Sequence, residues 1–476
     1  MDEMEFIALP VKKGDSFLLK DKNFNLLVDG GDGKLSILEE IVEHTNHLDV
    51  IICTHYDEDH IKGLLDFIEQ MIRVKYRIAG DFLRGLDTHA IVQGFNVKVK
   101  EIWLPDIFAR IQLYKEKKDK KKWGILDEKK EEMKGGITER NREREEERER
   151  EEEREREEER EAEREAGIIV SWEKREIRFG NKKQEIGEHL GNEDDFDKSI
   201  NLICKLVKSC YILMECFNVE IRWFSYIDEV RETLIKNNIY AINCELYEKQ
   251  IIPYGSKGEV IYNMITHINR ESLVFRYNEA TGSLPNVLFT ADSSFEFSIK
   301  ETPSKGKETD EEEGNMNHVS INSGVSIVTT PHHGSSNNKH KDAYENLKGK
   351  DFIFVRSSER HEGRPSFHFQ KHPKQKRFCV RCGPPNGKRH DGQKVRLEFM
   401  NGEWRAKKGV ESCKCTDDVE GLLSTSEVQS ILGISKLVLN KKVENKTLEP
   451  YRKVGKIDYF LPFNVLIEKY KQCDEK

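Results

Sequence analysis

The stretch Asp49-Val50-Ile51-Ile52-Cys53-Thr54-His55-Tyr56-Asp57-Glu58-Asp59-His60 holds the residues on which a reading of this chain turns. Its first half is a short apolar run rich in β-branched residues, which predicts a buried strand. Its second half sets two His and two Asp within six residues. Ile61 to Met71 has the spacing of an amphipathic helix. A strand-to-helix loop converges such side chains on one point. Histidine with carboxylate is the ligand set of zinc or manganese in a hydrolytic site. A solvated loop carrying acidic helix caps is the alternative, and a single His-Asp pair would have suited it better.

Working outward, the same pattern recurs. Phe17-Leu-Leu-Lys20 and Asn25-Leu-Leu-Val-Asp29 are short apolar runs, the second ended by Gly30-Gly31. Leu35 to Thr45 reads as a helix. Asn286-Val-Leu-Phe-Thr-Ala-Asp292 and Val325-Ser-Ile-Val-Thr-Thr330 are strands that end in polar residues. Asp292 closes the first, and Pro331-His332-His333-Gly334-Ser335 follows the second. Lys394 to Ala406 reads as a hairpin about Asn401-Gly402.

These blocks resemble the metallo-β-lactamase fold family, and within it the hydrolase domain of bacterial competence (DNA-uptake) proteins. The matching residues are Gly14 to Leu19, Val28 to Gly31, Thr54 through Gly63, Thr290 to Asp292, and Pro331 to Ser335. The resemblance implies an α/β fold, an αββα sandwich with a two-metal site at one edge. It implies that His55 and Asp57 serve one metal, that Asp59, His60 and His332 serve the other, and that Asp292 bridges them. Two zinc ions are expected, with manganese as the alternative. Asp59 would also orient the nucleophile, and His333 or His361 would donate a proton to the leaving group. The chain departs from the family in three places. Asp57 stands where many members have His. No separate His ligand precedes the bridging Asp. Gly363-Arg364-Pro365-Ser366 replaces a Gly-His-Pro; Arg364, with Ser335, would hold a substrate phosphate. The implied organisation is a first half at 1–115, an insertion at 116–254, a second half at 255–410, a linker at 411–420 and a C-terminal module at 421–476.

Charge sharpens this. The chain has 476 residues, of which 35% are charged, yet its net charge is only -8. That excludes an acidic disordered activator and a uniformly basic nucleic-acid coat. One segment, Glu139 to Ala166, holds 16 Glu and 9 Arg and so supplies -7. Its i,i+3 and i,i+4 Glu–Arg spacing predicts a solvated helix without coiled-coil positions. Residues 339–408 carry 19 Lys or Arg against 8 Asp or Glu, with five His in the span, His368 and His372 among them. A polyanion such as nucleic acid is the simplest partner for that surplus; compensation of the acidic stretches at 139–166 and 308–313 is the alternative. No window has the composition of a membrane span. The longest apolar run, Ile200 to Val219, is broken by Lys205, Lys208 and Glu215. The N-terminal residues lack a signal-peptide pattern, so a cytosolic protein is expected.

Ten cysteines in such a protein are reduced thiols or ligands. Cys379-Val-Arg-Cys382 and Cys413-Lys-Cys415 flank the hairpin and are candidate ligands of a structural zinc, with incidental reduced thiols as the alternative because the spacer is long and CxC is less typical than CxxC. Beyond them, Ser424-Thr-Ser-Glu427 is a capping box opening a helix. Gly433-Ile434 turns the chain into a second helix, and Tyr451 to Tyr459 offers two strands about Gly455. This module resembles an excisionase-type (MerR-like) winged helix-turn-helix. The resemblance implies Lys436, Asn440, Lys441 and Lys442 in the major groove and Arg452, Lys453 and Lys456 on phosphates. Residues 421–476 hold 10 basic and 7 acidic residues, only a slight excess, and a protein-docking or dimerisation module is the alternative. The functional expectation is a metal-dependent nuclease or phosphodiesterase. A small-molecule hydrolase of a thioester, lactone or cyclic nucleotide is the nearest competitor. A DNA-binding regulator with an inactive or ligand-sensing hydrolase domain is the competitor from another class.

Overall fold

The first part of the chain forms β1 (Met4–Ala8), β2 (Phe17–Asp21), β3 (Phe24–Val28), helix α1 (Ile37–His44), β4 (His47–Ile52), helix α2 (Glu58–Leu83) and β5 (Lys98–Pro105). A helical stretch at 106–116, three short strands β6 (Ile168–Ser171), β7 (Glu176–Phe179) and β8 (Lys182–Glu185), and helix α3 (Glu193–Phe217) come next. Strands β9 (Glu220–Tyr226), β10 (Thr233–Lys236), β11 (Ile239–Ala241) and β12 (Cys244–Leu246) follow. Then come β13 (Phe275–Tyr277), β14 (Asn286–Phe289), β15 (Val319–Ser320), β16 (Ser326–Thr329), β17 (Leu347–Lys348) and β18 (Ile353–Arg356). Helix α4 (Phe367–Gln370), β19 (Arg377–Cys379), β20 (Val395–Met400) and β21 (Glu403–Ala406) complete the body. The structure is a computed structural model. It describes residues 4–83, 97–116, 168–171, 174, 176–179, 182–185, 193–251, 271–278, 285–295, 319–320, 326–335, 343–344, 347–348, 352–358, 366–370, 372–382, 392–415, 423–450, 452–454 and 457–474. The Glu/Arg segment at 139–166 and the acidic stretch at 308–313 lie outside these residues.

Two sheets form the centre. One has nine strands in the order β12-β9-β5-β4-β3-β2-β1-β20-β21; the other has seven, β10-β11-β13-β14-β16-β18-β19. Alternation of side chains along each strand makes the layers. In β1, Met4, Phe6 and Ala8 enter the core between the sheets while Ile7 enters the core beneath the helices. In β4, Val50 and Ile52 go to the first and Leu48 and Ile51 to the second. Phe6, Phe17, Trp103, Phe224, Phe275 and Phe289 fill the inter-sheet layer. Helices α1, α2 and α3 cover the outer face of the larger sheet through Ile41, Phe67, Ile68, Ile203 and Val207. On the outer face of the smaller sheet, Val328 and Phe354 meet Phe369 of α4 and Ala343. This is the αββα layering expected from the sequence.

The sandwich reaches further into the middle of the chain than expected. The sequence pattern puts residues 193–246 in an insertion, yet α3 lies on α2, β9 and β12 extend the nine-stranded sheet, and β10 and β11 form an edge of the seven-stranded one. The reason is visible in α3, whose Phe196, Ile200, Ile203, Cys204, Val207 and Cys210 form one buried stripe despite the charges that interrupt its apolar run. The hairpin of β20 and β21 is as expected, with Asn401 and Gly402 at φ 53 and 82. Paired positive φ values are those of a tight hairpin turn. Among the described residues no helix is long and apolar enough to cross a membrane.

At the C-terminus, β22 (Leu423–Ser424), helix α5 (Thr425–Leu432), helix α6 (Lys436–Glu444), β23 (Arg452–Val454), β24 (Ile457–Phe460) and helix α7 (Pro462–Asp474) form a separate core around Val428, Leu432, Leu439, Leu448, Phe460 and Val465. The capping box is present: Ser424 accepts from Glu427 N, and the Glu427 carboxylate accepts from Ser424 N. The three strands pair in the order β22-β24-β23.

Helix α2 approaches the loop after β3 closely enough to exclude side chains. A Cβ on Gly63 would stand 1.7 Å from the Gly30 carbonyl oxygen. Gly63→Ala is therefore expected to destabilise the fold by at least about 1–3 kcal/mol, the usual cost of overpacking. Gly402→Ala, which meets nothing within 4 Å, costs only its left-handed backbone, about 1 kcal/mol. Equilibrium denaturation of the two variants checks the order.

Candidate metal centre

The functional side chains gather where parallel strands end. Strands β3, β4, β5 and β9 run parallel, as do β14, β16, β18 and β19. Asp29 follows β3, His55 and Asp57 follow β4, Asp292 follows β14, and His332 and His333 follow β16. Asp59 and His60 belong to the first turn of α2. The carboxyl ends of parallel strands are the usual place for ligands in α/β folds.

Asp292 stands between two groups. Its Oδ1 lies 3.3 Å from His60 Nε2 and 3.1 Å from His333 Nε2. Its Oδ2 lies 3.3 Å from His332 Nε2 and 3.8 Å from His55 Nε2. Asp57 joins the Oδ2 side, 3.8 Å from His55 Nε2. Asp59 joins the Oδ1 side, 3.8 Å from His333 Nε2. His55, His60, His333 and Asp292 are buried, whereas Asp59, Asp57 and His332 keep some exposure and form the mouth.

The two histidines after β16 therefore divide their work differently from the expectation. His332 was expected beside Asp59 and His60, with His333 as a proton donor. The structure puts His333 beside His60 and turns His332 toward the oxygen that faces His55. Backbone conformation is the cause: both residues have left-handed φ, 44 and 52, and their rings stand at 90° to each other. One main-chain and one side-chain bond hold the turn, from His332 N to Ala291 O (2.9 Å) and from Arg356 Nε to His333 O (2.8 Å). Asp29 and Ala291 also have positive φ, so four such residues cluster here, as strained backbone does at functional sites.

Two carboxylates that the sequence pattern does not single out face the imidazoles. Asp29 Oδ2 lies 2.8 Å from His60 Nδ1 and accepts from Thr54 Oγ1 at 2.7 Å, while its Oδ1 accepts from Thr54 N. Asp15 Oδ1 lies 3.0 Å from His333 Nδ1 and accepts from Ser357 Oγ. The signal available was that both lie in glycine-flanked segments ahead of strands or after them; nothing local showed what they face.

This arrangement fits a metal. The hydrogen bond of His60 Nδ1 with Asp29 puts a proton on that nitrogen and leaves the His60 Nε2 lone pair for a ligand, while His333 Nδ1 lies 3.0 Å from Asp15. The Nε2 atoms of His60 and His333 face each other at 3.2 Å, beside a carboxylate oxygen. With no proton between them, three such atoms repel unless a cation lies among them. His55 Nε2 and Asp292 Oδ1 are buried with no hydrogen-bond partner. Electrostatics points the same way. Burial opposes charge on His60, but Asp29 and Asp292 outweigh it and hold the imidazole well above the usual histidine range. Burial likewise opposes charge on Asp292, but His332, His333 and His60 hold its carboxyl well below the usual range. Such a field stabilises a positive charge, whether a proton or a metal ion.

Other expectations fare variously. Ser335 caps the His332–His333 turn, its N donating to His332 O at 2.8 Å. His361 and Arg364 lie outside the described residues. The basic surplus at 339–408 is partly internal. Arg356 and Arg377 are buried. Lys394 Nζ is held by Glu40 (2.6 Å), Glu43 (2.8 Å) and His44 (3.2 Å). Arg396 pairs with Glu5, and Lys407 with Glu398. His372 sits 4.4 Å from the Phe354 ring, and burial, then Arg377 and His368, lowers its pKa to about 4.

A family profile described as the metallo-beta-lactamase superfamily matches residues 9–193. Residues 9–193 thus carry a metallo-β-lactamase superfamily domain, which together with the ligand groups around Asp292 supports a metal-dependent hydrolase. The matched stretch includes Asp15, Asp29 and His55 to His60; Asp292 and His332-His333 lie beyond it. The chain is also 32% identical over 63 residues to microtubule-associated protein 1A of Rattus norvegicus, Mus musculus and Homo sapiens. That similarity spans 13% of this chain and 2% of each relative.

Two outcomes follow. Asp29→Asn should weaken metal binding about 10- to 100-fold, the usual effect of losing a ligand's orienting carboxylate, as read by competition against a chromophoric chelator. His372 should stay neutral down to about pH 4, against about 6.5 for a free imidazole, as read by NMR titration. Because its folded pKa lies below the unfolded one, its stabilising contribution is complete above about 6.5 and is lost as pH falls toward about 4.

Proposed function

We propose that this chain hydrolyses phosphodiester bonds in nucleic acid by a two-metal mechanism. The observation that carries the two-metal part is the division of donors by Asp292. His60, His333 and Asp59 face one oxygen, and His55, Asp57 and His332 lie toward the other. Divalent ions there, zinc or manganese, would supply hydroxide near neutral pH and stabilise charge on a phosphoryl oxygen.

The chain's own residues do the rest. Asp29 holds His60 in the tautomer that leaves its Nε2 free to ligate, and Asp15 stands 3.0 Å from His333 Nδ1. The Asp59 carboxylate, partly exposed at the mouth, would orient the attacking water. Ser335, with Arg364 from outside the described residues, would steady a substrate phosphate. Nucleic acid as substrate rests on the basic residues of 339–408 that remain exposed, Lys374, Arg381 and Lys408 among them.

The C-terminal module would recruit the enzyme to DNA as a winged helix-turn-helix. Helices α5 and α6 are joined through Gly433, Ile434 and Ser435, and β23 and β24 form the wing. Lys436, Asn440 and Lys441 are exposed on α6, as a recognition helix requires. Arg452 and Lys453 lie on β23, and Lys456 lies outside the described residues. Lys442 is less suited, since Glu468 pairs with it at 2.6 Å. A protein-docking role has one observation in its favour: Leu437 and Val438 on the same helix are exposed.

The test is incubation of the metal-loaded chain with labelled single-stranded DNA, duplex DNA and RNA, and in parallel with a cyclic nucleotide, a thioester and a lactone. Cleavage of a nucleic acid is expected, falling about 100-fold or more in His60→Ala and Asp292→Asn while DNA binding persists. Turnover of a small molecule alone would overturn the nuclease reading, and turnover of nothing would favour a regulator. Deletion of 420–476 should flatten the salt dependence of DNA binding; an unchanged slope would remove the DNA-binding role of the module.

A further inference from the structure

Four cysteines from two distant segments meet at the edge of the seven-stranded sheet. Cys379 ends β19, Cys382 follows a turn closed by its N donating to Cys379 O (3.3 Å), and Cys413 and Cys415 come from the segment after β21. Their Sγ atoms all lie within 4.8 Å of one another. Cys382 and Cys415 are 3.4 Å apart, and Cys379 and Cys415 are 3.8 Å apart. A disulfide would need about 2.05 Å, and these thiols are free. A tetrahedron with Zn–S bonds of about 2.3 Å has sulfur–sulfur edges of about 3.8 Å. The observed separations fit the tetrahedron.

The backbone is organised around the cluster. Cys413 N donates to Arg377 O at 2.6 Å, and Phe378 bridges to Ser412. Gln393 ties the segments together, donating from Nε2 to Cys379 O (3.0 Å) and Glu411 O (2.8 Å) while its Oε1 accepts from Glu411 N (2.9 Å). Lys414 N donates to Cys382 Sγ at 3.1 Å, a bond that favours the thiolate. Cys379, Cys413 and Cys415 are buried and Cys382 is half-buried, which leaves a path for an ion. Elsewhere Cys53, Cys210 and Cys244 are buried in the apolar core, where burial pushes each thiol up, as expected of inert packing residues.

We infer that Cys379, Cys382, Cys413 and Cys415 bind one thiophilic divalent ion, zinc by its preference for four-sulfur tetrahedral sites. The site is structural: four protein ligands leave no open position for substrate. It shares no residue with the Asp292 centre. It fastens the segment 411–415 to the edge strand β19. Binding takes the four sulfurs as thiolates and releases their protons to solvent.

The experiment uses the full chain carrying His60→Ala and Asp292→Ala, which removes the ligands shared by the other centre. Elemental analysis is expected to find about one zinc per chain, and further substitution of Cys413→Ser and Cys415→Ser to remove it. Cobalt exchanged into the His60/Asp292 variant should give the intense thiolate-to-metal absorption of a tetrahedral site, absent after the Cys→Ser changes. Should the Cys→Ser variant fail to fold, a thiol-specific mercurial added to the native chain should release that zinc to a chromogenic chelator. An unchanged metal content in a folded Cys→Ser variant, no release by the mercurial, or a mass showing these cysteines disulfide-bonded would overturn the site. None of these readings depends on hydrolase activity, so the site and the proposed function fail separately.

Discussion

The carboxylate of Asp29 is the interaction on which the rest of the site depends. It sits in left-handed backbone directly after β3 and reaches across to the end of β4 through both polar groups of Thr54. With the same oxygen that binds the Thr54 hydroxyl it holds His60 at the start of α2. Strand end, loop and helix start are thereby fixed to one fully buried group. An unpaired carboxylate in such a place would be prohibitively costly, so these partners are as necessary to Asp29 as it is to them.

That anchoring explains why the backbone comes so close around it. A Cβ on Gly14 would lie 1.5 Å from Asp59 O, and Gly63 N donates to Gly31 O at 3.0 Å. The segments bearing Asp15, Asp29 and Asp59–His60 touch through main chain, not through adaptable side chains. Such contacts leave little room for adjustment, which is what a site needing sub-ångström placement requires. The second sheet meets this rigid half through Asp292 and the turn at His332-His333. Arg356, buried at the end of β18, clamps that turn by its carbonyl.

Much of this was legible in the sequence, for identifiable reasons. Residues 54–60 concentrate ligand types after a buried strand, so they declare themselves. Asp292 and His332-His333 recur in the same position relative to their strands. The division of labour between His332 and His333 was not legible, because neighbouring residues swap faces when φ turns positive, and no side-chain pattern announces that. Asp15 and Asp29 escaped assignment because what they contact, Ser357 and His333 or Thr54 and His60, is remote in sequence. Residues 193–246 were misplaced because Lys205, Lys208 and Glu215 obscure the buried stripe of α3. The excess of Lys and Arg in 339–408 overstated the surface charge, since counting cannot tell a solvent-facing lysine from Lys394 enclosed by Glu40 and Glu43.

The pairing of residues 377–382 with 411–415 has a consequence for solubility. Strand β19 is the last of a run of parallel strands, and a bare edge of that kind offers a row of unpaired main-chain groups to any other extended chain. The short segment from Glu411 to Cys415 covers that row, yet it is held by few main-chain bonds. If the four sulfurs hold an ion as proposed, its loss would loosen the cover and expose that row to strand addition from a second molecule. On that reading, a few sulfur atoms that share no residue with the Asp292 centre would keep an edge strand closed to other chains.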